Sequence, residues 1–306
     1  MRGIARATAA WAWLAVAVLA APASAANPWG ADYFPNVALT TQDGATVRLY
    51  DDLLKGKAVA INLIYTSCKD ECPLETARLV QVQRLLGDRM GKDIFFYSLS
   101  IDPKRDTSAV LKAYAEKFGV GPGWLFLTGD EGDIKLVARK LGLSRRNDSA
   151  NRDGHQPIVM IGNEPAGQWM RNSAVASPKY LATTISDFMG WKSSERRYTT
   201  AQLRTPDPGL LLFKNRCAAC HTLGKGDTVG PDLAGVTTRR DRDWLTRYLK
   251  APDQMLTDKD PIAVALSEKY TVPMPNLRLN EDEVAAVLSF LHGHHDTEPK
   301  ETSASR

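Results

Sequence analysis

The chain has 306 residues, of which 43% are hydrophobic and 24% charged, and its formal net charge is only +4. The composition is that of an ordinary globular protein, and the length allows about two domains. So small a charge gives no support to a nucleic-acid partner, and the sequence contains no internal repeat or low-complexity tract.

Residues 1–25 have the pattern of a secretory signal peptide. Arg2 and Arg6 precede the apolar segment 9–21, and Ala23-Ser24-Ala25 matches a cleavage site. We therefore expect a mature chain that begins at Ala26 and works in the periplasm or another extracytoplasmic compartment. If the signal stayed uncleaved it would anchor the protein to the membrane, although its apolar run is short for a span of about 20 residues.

Residues 26–190 alternate between strand and helix patterns. Turn residues around Asp43-Gly44 predict an entry hairpin of 33–36 with 47–49. Further strands are predicted at 58–64, 94–101, 124–127, 158–161 and 168–170. Helices are predicted at 75–86, 108–118, 133–141 and 178–188. This alternation predicts an α/β domain with a central sheet.

Two cysteines, Cys68 and Cys72, lie where strand 58–64 turns into helix 75–86. A helix N-terminus favours the thiolate form, and a thiolate pair suits Cu(I) or Zn or can exchange disulfides. A structural disulfide or a pair of inert buried thiols is the alternative, but a disulfide here would close too short a loop to stabilise much. A redox-type pair after the first long strand narrows the α/β domain to a thioredoxin-like fold.

His155 lies in loop 151–155, directly before strand 158–161. It could be a surface residue, a general acid or base, or a third metal ligand. Two thiolates and one imidazole would make a good three-coordinate copper site. Asp153 is a candidate acceptor that would fix the imidazole tautomer.

Over about residues 30–190 these motifs together resemble the Sco/SenC family. The matching segments are Tyr65-Thr66-Ser67-Cys68 through Cys72-Pro73, Ser100-Ile101-Asp102-Pro103 through Asp106-Thr107, and the lone His155. Members of that family are thioredoxin-fold proteins that bind copper and help to assemble the copper centre of cytochrome c oxidase. The resemblance implies that Cys68, Cys72 and His155 are copper ligands. One difference is that Gly154 separates Asp153 from His155, whereas the family usually has aspartate directly before the histidine.

A polar segment, residues 191–206, is predicted to be a semi-flexible linker to a second domain at 207–296, with a polar tail at 297–306. The second domain contains Cys217-Ala218-Ala219-Cys220-His221, the sequence of c-type haem attachment. Cys217 and Cys220 would bond the haem vinyl groups, and His221 would ligate iron. A zinc site or a disulfide is the alternative.

The remainder of the second domain resembles a small all-α class I cytochrome c. In Gly230-Pro231-Asp232-Leu233, the resemblance implies that the Pro231 carbonyl accepts a hydrogen bond from His221. Pro273-Met274-Pro275 implies that Met274 is the sixth iron ligand, with Met255 as a competitor. A closing helix is predicted at 280–292. Asn280 and Glu283 would cap it, and Val287, Phe290 and Leu291 would pack near Gly209 and Phe213.

We therefore expect an extracytoplasmic copper metallochaperone with a covalent haem c for electron transfer. Its partners would be a cytochrome c oxidase subunit or another apo-cuproenzyme, together with a redox partner protein. Two alternatives stay open. One is a thiol–disulfide oxidoreductase in which Cys68 and Cys72 act catalytically on cuproenzyme cysteines, and the other is a plain electron carrier that needs only His221 and Met274. The linker would let the haem visit the copper loop without being fixed there.

Overall fold

The computed structural model describes residues 29–68, 71–144, 157–191 and 207–293. The signal segment, the loop that contains Asp153 and His155, the linker from residue 192 onward and the C-terminal tail lie outside the described residues. Those described form two units, an α/β first domain and a helical second domain.

In the described part of the first domain, seven strands form one sheet. They are β1 (Ala38–Thr41), β2 (Thr46–Arg48), β3 (Ala58–Ile64), β4 (Phe95–Ser100), β5 (Trp124–Gly129), β6 (Ile158–Asn163) and β7 (Gln168–Ser173). Their order is β2-β1-β5-β4-β3-β6-β7. The central strands β3, β4 and β5 run parallel, while the outer strands pair antiparallel.

Strand β3 is buried on both faces, which explains why its sequence is apolar at every position except Asn62. Ala60 and Ile64 belong to one apolar cluster, and Val59, Ile61 and Leu63 belong to the cluster on the opposite face. This alternation follows from the two-residue period of a strand.

Helices cover both faces of the sheet. They are α1 (Glu71–Leu86), α2 (Ser108–Lys117), α3 (Glu131–Lys140) and α4 (Pro178–Phe188). Helices α1, α2 and α4 contribute to the first cluster, and α3 contributes to the second. Side-chain caps fix where two of them begin, since Thr107 accepts from the N–H of Val110 and Asp130 from that of Asp133. The predicted thioredoxin-like α/β fold is confirmed.

Two local predictions differ from the structure. Residues 33–36 form no strand, because Tyr33 and Phe34 instead pack with Trp29 and Trp169, and the hairpin pairs β1 with β2. Helix α1 begins at Glu71 rather than at residue 75. Pro73 is compatible with this earlier start, because first-turn N–H groups have no intrahelical partner. Cys72 therefore lies inside the helix.

The described second domain is helical, as predicted. It comprises α5 (Pro208–Leu212), α6 (Val236–Arg239), α7 (Arg242–Lys250), α8 (Pro252–Thr257), α9 (Pro261–Lys269) and α10 (Glu281–Gly293). The predicted cap of α10 is present, since the side chains of Asn280 and Glu283 each accept the other residue's N–H at 2.9 Å. Among the helices of the described ranges, none is both long enough and apolar enough to cross a membrane.

Helices α5 and α10 cross in backbone contact. A Cβ atom on Gly209 would lie 2.1 Å from the carbonyl oxygen of Ala286, so only glycine fits at the crossing. The rings of Phe213 and Phe290 lie 5.5 Å apart, and Val287 joins the same cluster. This is the packing that the sequence predicts.

Candidate metal centres

The thiol pair of the first domain lies at the junction of β3 and α1. Cys68 follows the end of β3 and Cys72 occupies the first turn of α1, with 9% and 0% of their surfaces exposed. Neither forms a disulfide, and the backbone N–H of Cys72 donates to Sγ of Cys68 across 3.4 Å. Tyr65 and Ile101 pack around them. The structure thus brings the two predicted ligands together.

The loop before Cys68 is held by Asp106, which is fully buried. Its carboxylate accepts hydrogen bonds from the N–H of Thr66 at 3.1 Å, the hydroxyl of Thr66 at 2.5 Å and the hydroxyl of Ser100 at 2.6 Å. Hydrogen bonds to an ionised acceptor are roughly twice as strong as neutral ones. Asp106 therefore ties the ends of β3 and β4 together beneath the thiol pair.

The electrostatics of the pair favour a bound cation. The pKa of the Cys72 thiol is raised by its hydrogen bond with Cys68, then by burial, and then by the charges of Cys68 and Glu75. Removing both thiol protons is therefore costly unless positive charge enters the site. A coordinated metal supplies that charge, and a thiolate pair with these neighbours is a soft donor set.

A chain of buried polar side chains runs from the sheet to α1 beside the thiols. Trp124 donates its indole N–H to Ser98 at 2.9 Å, Ser98 donates to Asn62 at 2.7 Å, and Asn62 donates to Glu75 at 2.8 Å. Glu75 is one helical turn after Cys72 and has no exposed surface. The chain fixes the orientation of α1 on the sheet and places a carboxyl group near the thiols.

His155 lies outside the described residues, so its position relative to Cys68 and Cys72 stays a prediction. Within the described ranges, no three His, Cys, Asp or Glu side chains are grouped closely enough to hold a metal ion. A third ligand for the thiol pair would therefore come from elsewhere, and His155 is the residue that the sequence offers.

In the second domain, Cys217, Cys220 and His221 line a cavity of about 610 Å³. The N–H groups of Cys220 and His221 both bond to the carbonyl of Cys217, which turns all three side chains towards one space. The volume falls within the range of about 300–1,000 Å³ that is typical of ligand pockets. Much of the lining is apolar, including Val229, Leu233, Leu249, Leu266 and Leu288.

The geometry around His221 suits an iron ligand. Its Nδ1 donates to the carbonyl of Pro231 at 2.8 Å, which leaves Nε2 free of a proton and available to a metal. A Cβ atom on Gly230 would lie 2.7 Å from Cε1 of His221, so the ring needs glycine at that position. The hydrogen bond implied by the sequence resemblance is therefore present.

Met274 and its flanking prolines line the same cavity. Met255 is not among the lining residues; it is buried in α8, where it packs behind the cavity wall in an apolar cluster with Trp244 and Leu288. Cysteines, histidine and methionine thus converge on one apolar space that fits a haem. Cys217 and Cys220 would hold the haem covalently, His221 and Met274 would ligate its iron, and the haem would supply one-electron chemistry.

A network of polar groups closes the rim of this cavity. The carboxylate of Asp227 accepts from the hydroxyl of Tyr270 at 2.6 Å, from the N–H of Asp232 at 2.9 Å and from Lys269 at 3.1 Å. These bonds lower the pKa of Asp227 to about 2. The network joins the loop after His221 to the end of α9.

Four residues with structural importance near the sites escape prediction from sequence: Glu75, Arg78, Gln81 and Asp106. Asp106 lies in a family motif, but no pattern indicates that it holds the cysteine loop. Glu75 and Arg78 stand out in one respect, because they are charged residues interspersed with the apolar positions of α1. Both are buried.

The fold and the two centres define a class of protein in which a thioredoxin-like domain with a buried thiol pair is joined to a helical cytochrome-type domain. A SCO1/SenC family model matches residues 27–171, and a Cytochrome c family model matches residues 207–294. The chain therefore contains a SCO1/SenC domain followed by a cytochrome c domain.

Similar proteins are found for the first domain. A "SCO2-like protein" of Rickettsia felis is 39% identical over 110 residues, which cover 36% of this chain and 51% of that protein. ScoI of Bradyrhizobium japonicum, solved with copper bound, is 26% identical, with a TM-score of 0.41 over 49% of this chain and 96% of that one. BsSco, described as a member of the Sco family of cytochrome c oxidase assembly proteins, is 23% identical, with a TM-score of 0.43 over 51% and 92%.

Proposed function

We propose that this protein binds copper through Cys68, Cys72 and His155 and delivers it to an apo-cuproenzyme, with cytochrome c oxidase as the first candidate. A covalent haem c in the second domain exchanges single electrons with a redox partner. Both copper delivery and electron exchange would take place outside the cytoplasm, because residues 1–25 have the pattern of a secretory signal peptide.

One observation carries the copper assignment. Within a SCO1/SenC domain, Cys68 and Cys72 are buried side by side at the start of a helix and form no disulfide. Asp106 anchors the loop between strand and helix. Thiolates are soft ligands that suit Cu(I), and imidazole suits copper as well. Because Asp106 is not one of the proposed copper ligands, the loop would keep its shape when copper is released.

The haem assignment is supported by the cavity of the second domain. Four side chains of the expected types line it: Cys217, Cys220, His221 and Met274. The Pro231 carbonyl holds His221 in the tautomer that leaves Nε2 for iron. A methionine ligand in place of a second histidine would raise the reduction potential of the haem.

A thiol–disulfide oxidoreductase is the second candidate, because the N–H contact between Cys72 and Cys68 places the two thiols side by side. That function needs Cys68 and Cys72 but not His155. It also moves two electrons at a time, whereas a haem moves one. The two candidates therefore differ in their need for His155.

The test is an anaerobic Cu(I) titration of the mature, haem-loaded protein against a competing chelator. We expect one tightly bound Cu(I) per chain, lost in Cys72→Ser and kept in Ser67→Ala, a change at an exposed neighbour that leaves both thiols. Tight binding that survives Cys72→Ser would contradict the proposal. So would a wild-type protein without tight binding that still reduced cuproenzyme disulfides.

A further inference from the structure

The haem-attachment loop of the second domain, residues 217–221, packs on helix α1 of the first domain. The side chain of Gln81 donates to the carbonyls of Ala218 at 2.8 Å and Ala219 at 3.3 Å, the two residues between the haem cysteines. One turn earlier, Arg78 donates to the carbonyl of Lys214. Side chains of α1 thus form hydrogen bonds with backbone carbonyls on both sides of Cys217.

Apolar packing extends this contact. Ala219 is buried in the same cluster as α1 residues of the first domain, and Cys220, Val229, Val272 and Leu277 pack against that cluster. The interface therefore has an apolar part and a hydrogen-bonded part, as stable interfaces do. The sequence predicts a flexibly tethered haem domain that approaches the copper loop without being fixed there. In the structure the two domains are in contact.

Arg78 is the unusual member of this interface. Only 2% of its surface is exposed, and within the described protein its Nε has no hydrogen-bond partner. Burial lowers the pKa of Arg78. Burial also raises the pKa values of Cys217 and Cys220 to about 12, so these neighbouring thiols are protonated and carry no compensating charge. A buried, positively charged guanidinium therefore lies beside the haem-attachment loop.

Helix α1 also begins at the other metal centre. Cys72 lies in its first turn, and at 1.5 Å per residue Arg78 follows about 9 Å further along the axis and Gln81 about 14 Å. One rigid element therefore carries a copper ligand at its start and the contacts to the haem-attachment loop at its middle.

We infer that α1 is a fixed dock for the haem domain, in which Arg78 and Gln81 position the haem edge for electron transfer to copper within one chain. The inference rests on the proposed function for its copper step. In that step the ferrous haem becomes ferric and Cu(II) at the thiol pair becomes Cu(I). One electron moves and no atom is transferred. Arg78 is a positioning residue whose charge also favours the ferrous haem.

The first test uses copper-free, haem-loaded protein and measures the haem midpoint potential. Removing a buried positive charge near the haem should lower it, so Arg78→Leu should shift the ferrous–ferric equilibrium about tenfold, or about 59 mV for one electron. Arg78→Lys keeps the positive charge and should leave the potential close to the wild-type value. Arg84→Leu is the matched control, an exposed arginine on the same helix, and it should change nothing. Equal haem midpoint potentials in wild type and Arg78→Leu would overturn the inference that Arg78 lies beside the haem and positions it.

The second test loads the protein with Cu(II), mixes it with a reductant that reduces only the haem, and follows haem re-oxidation by stopped flow. We expect a rate independent of protein concentration. Gln81→Glu, which sets a carboxylate against the carbonyls of the haem loop, should slow it at least tenfold. A wild-type rate that rises with concentration would overturn the inference. Failure to bind Cu(II) would instead overturn the proposed function, while the copper-free potentials still decide whether the domains dock.

Discussion

Thr66 and Asp106 are 40 residues apart in sequence, yet the Asp106 carboxylate takes both the N–H and the hydroxyl of Thr66. The contact lies two residues before Cys68. Since Asp106 also accepts from Ser100 at the end of the neighbouring strand, the thiol loop is fixed by a residue that ligates nothing.

Asp106→Asn should therefore destabilise the first domain by about 2–4 kcal/mol, because an amide cannot accept from all three donors and its own N–H₂ group would face one of them. Urea unfolding of the full-length protein, followed by tryptophan fluorescence, measures this. Asp88→Asn is the control, since Asp88 is exposed. If the two variants unfold alike, the carboxylate does not hold the loop.

His155→Ala should weaken Cu(II) binding more than Cu(I) binding. Cu(II) is the harder ion and therefore depends more on the imidazole ligand than Cu(I) does. Competition titrations in each oxidation state measure the two affinities, and the Cu(II) absorption spectrum should change as well. His292→Ala, at the exposed end of α10, should leave both unchanged. An unaltered Cu(II) spectrum in His155→Ala would rule out the three-ligand site.

Met274→Leu should abolish the methionine-to-iron charge-transfer band and lower the haem potential. The haem itself should stay covalently bound through Cys217 and Cys220 and survive acid–acetone extraction. Met255→Leu keeps a similar volume in the core and should retain the band. Persistence of the band in Met274→Leu would show that another residue is the sixth ligand.

The cavity rim should respond to acid through Asp227. Its pKa is lowered from 3.8 to about 2, so its bonds stabilise the fold fully above pH 4 and are lost as the pH falls towards 2. In Asp227→Asn, stability should fall less over that window than in wild type. Thermal unfolding followed at the haem band from pH 5 to pH 2 measures the difference. Parallel pH profiles would show that Asp227 contributes nothing.

Features that local chemistry or periodicity determines could be predicted from the sequence, such as the apolar run of β3 and the helix cap formed by Asn280 and Glu283. The hydrogen bond between His221 and Pro231, ten residues apart, is implied by the resemblance to cytochrome c. The start of α1 is mispredicted because Pro73 looks like a boundary, although it is compatible with a first helical turn.

Contacts between residues far apart in the sequence leave no local pattern from which they could be predicted. Nothing near Arg78 indicates that it meets the carbonyl of Lys214, 136 residues later. The same holds for Asp106 and Thr66, whose partnership depends on β3 and β4 lying side by side. The ligand types could be predicted, whereas the parts that position them could not, because tertiary packing decides which distant residues meet.

The crossing of α5 and α10 has a consequence for the order in which the second domain matures. The backbone contact at Gly209 closes almost the whole domain into one loop, and closing a long loop carries an entropy cost. Cys217 ends the helical turn Phe213–Cys217 that follows α5, and α10 forms part of the cavity wall through Val287 and Leu291. Until α10 docks, the cavity is open on that side. A haem that entered before α10 docked would be enclosed when the crossing formed, so the crossing would help to retain the group.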